Sequence, residues 1–123
     1  MNQILWIALG GAIGAVLRYL VVIGVNTLSP TDFPWATLLV NILGSFAIGA
    51  LIANYSVHPS FSGFLRPFLV IGILGGFTTF STFSLEAFVL IQKQELFKAG
   101  SYILMSFILG ITAAFVGFKL FEA

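Results

Sequence analysis

The chain has 123 residues, 59% of them hydrophobic and only 7% charged, with a net charge of +1 and no cysteine. A soluble domain needs roughly a quarter charged residues to face water, so this single domain must face lipid over most of its surface. The small net charge and lack of basic runs argue against a nucleic-acid partner, and the absent cysteines exclude disulfides, thiolate metal sites and thiol nucleophiles.

A spanning helix takes roughly 20 mostly apolar residues, and four segments qualify. The start, Met1-Asn2-Gln3, lacks the positive region of a signal peptide, so the apolar segment after it is expected to stay in the mature protein. That first span runs from Ile4 to about Leu28, interrupted by Arg18, and ends at the turn-rich Ser29-Pro30-Thr31-Asp32. The second is expected from about Phe33 to Tyr55, with Asp32 or Thr31 as N-cap and Pro34 in the first turn. A polar loop over 56–63 holds His58 and Pro59, to which no role is assigned. The third span covers about 64–91 and the fourth about 96–121, joined by Gln92-Lys93-Gln94-Glu95.

Four spans place both termini on one side of the membrane, with Arg66 and Lys119. The other side holds Lys93 and Lys98, and Arg18 if it reaches the nearer interface. So little bias leaves the positive-inside rule without a clear instruction. Either copies insert both ways and pair antiparallel, or features other than charge fix one orientation.

Polar residues in hydrocarbon usually face a bundle interior or a wet path. In the second span Thr37, Asn41 and Ser45 recur every fourth residue and so share a face, beside Gly44 and Gly49. Taken alone, that stripe reads as a helix contact with an interhelical hydrogen bond. Tyr102, Ser106, Gly110 and Gly117 repeat the pattern in the fourth span, and Gly10 and Gly14 make a packing motif in the first.

The third span is different. Its middle reads Gly75-Gly76-Phe77-Thr78-Thr79-Phe80-Ser81-Thr82-Phe83-Ser84. Adjacent glycines disfavour helix and β-branched threonines do little to restore it, so a break is expected within 75–79, giving two half-helices. The bland reading is a glycine kink whose hydroxyls bond neighbouring carbonyls. The density of hydroxyls favours the other, because irregular backbone at that depth needs protein or a wet cavity to satisfy it. Broken helices place ion sites there, freed carbonyls taking cations and half-helix N-termini favouring anions. Phe80 and Phe83 lie three apart on one face, among the hydroxyls of Thr79, Ser81, Thr82 and Ser84, with Glu86 beyond. A phenyl edge is weakly positive, hydroxyls and the Asn41 amide donate hydrogen bonds, and together they make an anion path that binds without trapping. Arg18 has three readings: reaching an interface, holding positive potential at a pore mouth, or pairing with Glu86. Asp32, Glu95 and Glu122 read as ordinary solvated charges.

These motifs resemble the Fluc (CrcB) fluoride channels over essentially the whole chain. The resemblance is carried by Gly10 to Tyr19 in the first helix, Thr37 to Phe46 in the second and, most specifically, Gly72 to Ser84 in the third. It implies an all-α membrane protein of four transmembrane helices per subunit with a broken third helix, assembled as an antiparallel dual-topology homodimer. Two pores, each lined by both subunits, would pass fluoride passively out of a bacterium across its inner membrane. By resemblance Asn41, Phe80 and Phe83 match the pore residues, and Thr37, Ser81, Thr82, Ser84 and Glu86 the polar lining. Tyr102 and Ser106 match the pore side of the fourth helix, and Arg18 the family's first-helix arginine. A structural sodium ion on the two-fold axis would be held by backbone carbonyls, with Gly75 and Thr78 at the matching positions. Two other readings compete. A proton-coupled exporter of organic cations, like the small multidrug-resistance proteins, needs an acid in the first helix, where Arg18 stands instead. A non-transporting assembly subunit needs no broken helix. No nucleophile–base pair or metal-ligand cluster points to an enzyme.

Overall fold

The computed structural model describes residues 2–57 and 63–122, so most of the polar loop, His58 and Pro59 included, lies outside the described residues. Four segments are long and apolar enough to cross a membrane. The first helix, Asn2–Leu28, ends where Ser29 N–H closes the last turn onto the Val25 carbonyl at 2.8 Å, just ahead of Pro30. The second, Trp35–Val57, starts later than proline's first-turn preference implied. Pro34 holds the preceding Phe33 away from helical backbone, and its own carbonyl accepts the first bond, from Leu38 N–H at 3.3 Å. Pro34 is therefore the residue that flanks the helix rather than its first turn. The Thr31 hydroxyl donates to the Phe33 carbonyl instead of capping.

The third span is discontinuous. Its near half is a π-helix over Pro67–Leu74, with Gly75 N–H reaching back to the Val70 carbonyl, followed by one α turn over Gly75–Phe77. Thr78 (φ −81°, ψ 156°) and Thr79 (φ −152°, ψ 120°) are extended, and the far half runs helically over Phe80–Gln92. The break thus lies at the threonine end of the expected window. Gly75 itself is helical (φ −62°, ψ −38°). β-Branched residues favour extended backbone, whereas the glycines serve close packing. A Cβ on Gly76 would stand 2.5 Å from the Gly11 carbonyl oxygen, and one on Gly14 would run into the Ile73 carbonyl.

Small residues set both main helix pairs. The first helix lies on the near half of the third span through Gly10, Gly14, Gly72 and Gly76. The second and last helices, the latter Leu96–Phe121, meet where Gly49 faces the Ala114 carbonyl and Gly117 faces the Phe46 carbonyl. In lipid, where apolar surfaces gain little by meeting, backbone approach of this kind is a main source of helix association. Gly76→Val is accordingly expected to cost about 3 kcal/mol, read as a lower unfolding midpoint in SDS titration. Gly24→Ala, with nothing within 4 Å of its added Cβ, should not lower it.

Between the second helix, the far half and the last helix sits the core: Leu38, Phe83, Ala87, Leu90, Ala99 and Tyr102. The last turn joins Gln92 to Leu96 with Gln94 in the left-handed region (φ 59°), and Glu95 N–H bonds the Leu90 carbonyl at 3.0 Å. At the opposite end Trp6 packs on Phe64 and Phe68, and the Arg66 guanidinium lies 5.4 Å from the Tyr55 ring centroid.

Candidate functional site: a polar break in the third span

The site is organised by the Asn41 side chain. Its Nδ2 donates to the Thr79 carbonyl at 3.0 Å and its Oδ1 accepts from Thr79 N–H at 2.9 Å. One amide thus pairs both ways with one extended residue, as a neighbouring strand would, and replaces bonds that the interrupted helix cannot make. Buried backbone groups left without partners would each cost roughly 1–3 kcal/mol. The Thr79 hydroxyl then caps the far half, accepting from Thr82 N–H at 3.2 Å.

Two carbonyls lose their helical donors as a result. Thr79 N–H, which an unbroken helix would give to the Gly75 carbonyl, goes to Asn41, and Thr82 N–H, which would go to the Thr78 carbonyl, goes to the Thr79 hydroxyl. The Thr78 carbonyl has a long contact, 3.5 Å, from Arg18 Nη1. Arg18 therefore rests against the break, midway along the third span rather than at an interface. It forms no ion pair with Glu86 among the described residues. Lysine and arginine near the membrane surfaces are then Arg66 and Lys119 at one end, Lys93 and Lys98 at the other.

Not every hydroxyl is available. Thr78 Oγ1 donates to the Leu74 carbonyl at 2.9 Å and Ser84 Oγ to the Phe80 carbonyl at 2.9 Å. These two turn inward, as the bland reading held for all of them, and Ser84 has no proton left to offer an anion. Ser81 and Thr82 are both exposed, and the Ser81 hydroxyl lies 3.4 Å from the Thr79 hydroxyl. Ser106 Oγ is buried without a hydrogen-bond partner.

Most of the side chains named from sequence line three cavities that share lining residues, whereas Ser81, Ser84 and the fully buried Tyr102 line none of the three. A cavity of about 400 Å³ is lined by Asn41, Ser45, Thr79, Phe80, Phe83 and Ser106, with Gly75 and Thr78 on its wall. Thr79 also borders a hollow of about 250 Å³ that Arg18, Thr37 and Thr82 share. Thr37 and Thr82 in turn line a third, of about 350 Å³, with Glu86. The two phenyl rings stand 5.6 Å apart, tilted by 42°. Phe83, 7% exposed, packs against Tyr102 and Phe107, while Phe80 is 72% exposed and projects from the chain. Glu86 joins the stripes of two other helices: Thr37 Oγ1 donates to Oε1 at 2.6 Å and Tyr102 Oη to Oε2 at 3.3 Å. That pairing was not foreseen. Its signal is a lone acid on a span whose neighbours carry a hydroxyl and a phenol on their facing stripes.

Fold and site together define a polytopic membrane protein built around a discontinuous helix. Residues 5–118 match the family model described as CrcB-like protein, Camphor Resistance (CrcB). A protein of Agrobacterium fabrum named fluoride-specific ion channel FluC is 48% identical over 98% of this chain and 96% of its own length. One of the same name from Thermus thermophilus is 47% identical over 98% and 95%. Fluoride-specific ion channel FluC 1 of Nitrobacter hamburgensis is 44% identical over 95% and 93%. The chain belongs to the CrcB family.

Proposed function

We propose that this chain is the subunit of a fluoride-selective ion channel that lets fluoride leave the cytoplasm down its electrochemical gradient. The observation that carries this reading is the cavity at the break, where two phenyl rings stand beside an unpaired buried hydroxyl, Ser106, and the pinned Asn41 amide. Fluoride is small, strongly hydrated and a strong hydrogen-bond acceptor. It loses water only where donors replace it. The second N–H of Asn41, the Ser106 hydroxyl and the first-turn N–H groups of the far half supply donors, and the positive end of that half-helix favours an anion. Phenyl edges add weak positive potential without a fixed charge, so the ion is held and still released. Outward flow needs no coupled energy source, since an inside-negative potential favours anion exit by about 2.3 kcal/mol per 100 mV.

In this reading the working unit is an antiparallel pair of copies in the bacterial inner membrane. Equal basic charge at the two ends and the outward projection of Phe80 support it, since a ring left open in one copy gains a wall from a second. Thr37, Thr82 and Glu86 continue the lining, the buried Tyr102 holds Glu86 in place from behind, Ser81 offers an exposed hydroxyl beside Thr79, and Ser84 contributes only an acceptor. Arg18 contributes positive potential beside the break. Sodium would suit the Gly75 and Thr78 carbonyls, hard neutral oxygens whose helical donors are engaged elsewhere. Among the described residues no acidic or histidine cluster competes for a metal.

Purified protein in liposomes loaded with fluoride, opened by a potassium ionophore and followed with a fluoride electrode, is expected to release its load, and liposomes loaded with chloride to retain theirs. Efflux should fall when sodium was replaced throughout purification by a bulky organic cation, and cross-linking in detergent should yield dimers. Release no faster than from protein-free liposomes would refute the channel. Undiminished sodium-free flux would remove the ion, and monomers alone the pair.

A further inference from the structure

A cavity that neither phenyl ring lines holds a charge that the fluoride path does not yet use. Of about 350 Å³, it is lined by the buried Thr37 and the half-buried Glu86, by Thr82, and by the exposed Asn26, Asp32 and Lys93. It therefore presents two carboxylates and a single ammonium. Sequence alone gives Lys93 and Asp32 as loop charges 61 positions apart; the fold sets them on one opening, at the membrane end that the second helix leaves and the third span reaches. The neighbouring cation is already engaged, since Lys98 pairs with Glu95 at 2.9 Å. Lys93 has no ion-pair partner among the described residues, and its side chain is exposed.

We infer that Lys93 is the electrostatic attractor of this mouth, offsetting Asp32 and Glu86 so that an anion can approach the inner lining. The inference rests on the fluoride-channel reading. Without Lys93, an arriving anion faces only carboxylates. With it, the local anion concentration rises, the more so because low-dielectric walls focus the field of a single charge into the opening. One unit charge about 8 Å away in water changes an ion's local concentration about twofold. The ordinary explanation of a lysine here is that it neutralises the carbonyl end of the far half-helix, where it flanks the last turn. That role affects stability and not conduction, so the two separate by experiment.

The test is single-channel fluoride current in bilayers of neutral lipid, at about 10 mM and about 1 M ionic strength, where the screening length is about 30 Å and about 3 Å. Lys93→Gln should carry about half the unaltered current at low ionic strength and the same current at high. Lys93→Glu should fall about fourfold at low ionic strength, Lys93→Arg should match the parent, and Asp32→Asn should exceed it. Equal currents for parent and Lys93→Gln at both ionic strengths would overturn the inference, as would a deficit that salt leaves unchanged. Both outcomes leave the channel reading standing. Absence of fluoride current from the unaltered protein overturns that reading, and this inference with it.

Discussion

Asn41→Asp is expected to abolish fluoride flux and to destabilise the fold. The substitution is nearly isosteric, so the effect isolates one change: the Nδ2 that donates to the Thr79 carbonyl becomes an oxygen. Two acceptors then face each other at about 3 Å in a low-dielectric interior, and the Thr79 carbonyl loses its donor. The cost is at least about 2 kcal/mol, and a carboxylate charge beside the cavity repels the permeant anion as well. Flux should fall more than about 100-fold, and the SDS unfolding midpoint should fall with it. Asn41→Ser, which keeps a donor but cannot reach both ends of Thr79, should be intermediate in stability. Normal flux in Asn41→Asp would show that the amide neither holds the break nor touches the path.

Phe80→Ile should show the opposite division, losing flux without losing the fold. Phe80 is 72% exposed in the single chain and lies outside its buried core, so the stability of the subunit's own fold should change by about 0.5 kcal/mol or less. Isoleucine keeps the apolar volume but has no positive edge. If the ring solvates the ion, current should drop by at least about 10-fold while dimers assemble as before. Phe83→Ile is the useful contrast, because Phe83 is 7% exposed and packs on Tyr102 and Phe107; it should lose both flux and stability. Unchanged fluoride current in Phe80→Ile would take the ring out of the path.

These two variants also mark what could be read from the sequence. The spans were legible because lipid demands long apolar runs, and the boundaries between them fall at a proline, a turn or a polar stretch. The break was legible as a region but not as a residue. Gly75 and Gly76 draw attention by their helix propensity, yet the fold uses Gly76 for contact with the first helix and lets Thr78 and Thr79 extend. Propensity describes an isolated chain, and the packing surface that overrides it comes from a helix far away in sequence. Asn41 illustrates the same limit. Its place on a polar stripe was plain, but its bond to Thr79 spans 38 positions, so a stripe that looked like a helix contact turned out to hold the discontinuity. The lining was least legible at Ser84 and Arg18, where the choice between facing a cavity and facing the backbone depends on rotamers that spacing does not record.

The reversal potential of the purified protein in a planar bilayer, with fluoride at unequal concentrations on the two sides and chloride making up the balance, tests the central claim most directly. A path that strips water with hydroxyls, one amide and ring edges should hold the potential near the value set by the fluoride gradient alone. A reversal potential near zero would mean that chloride passes as readily, and the chemistry assigned to the break would be contradicted.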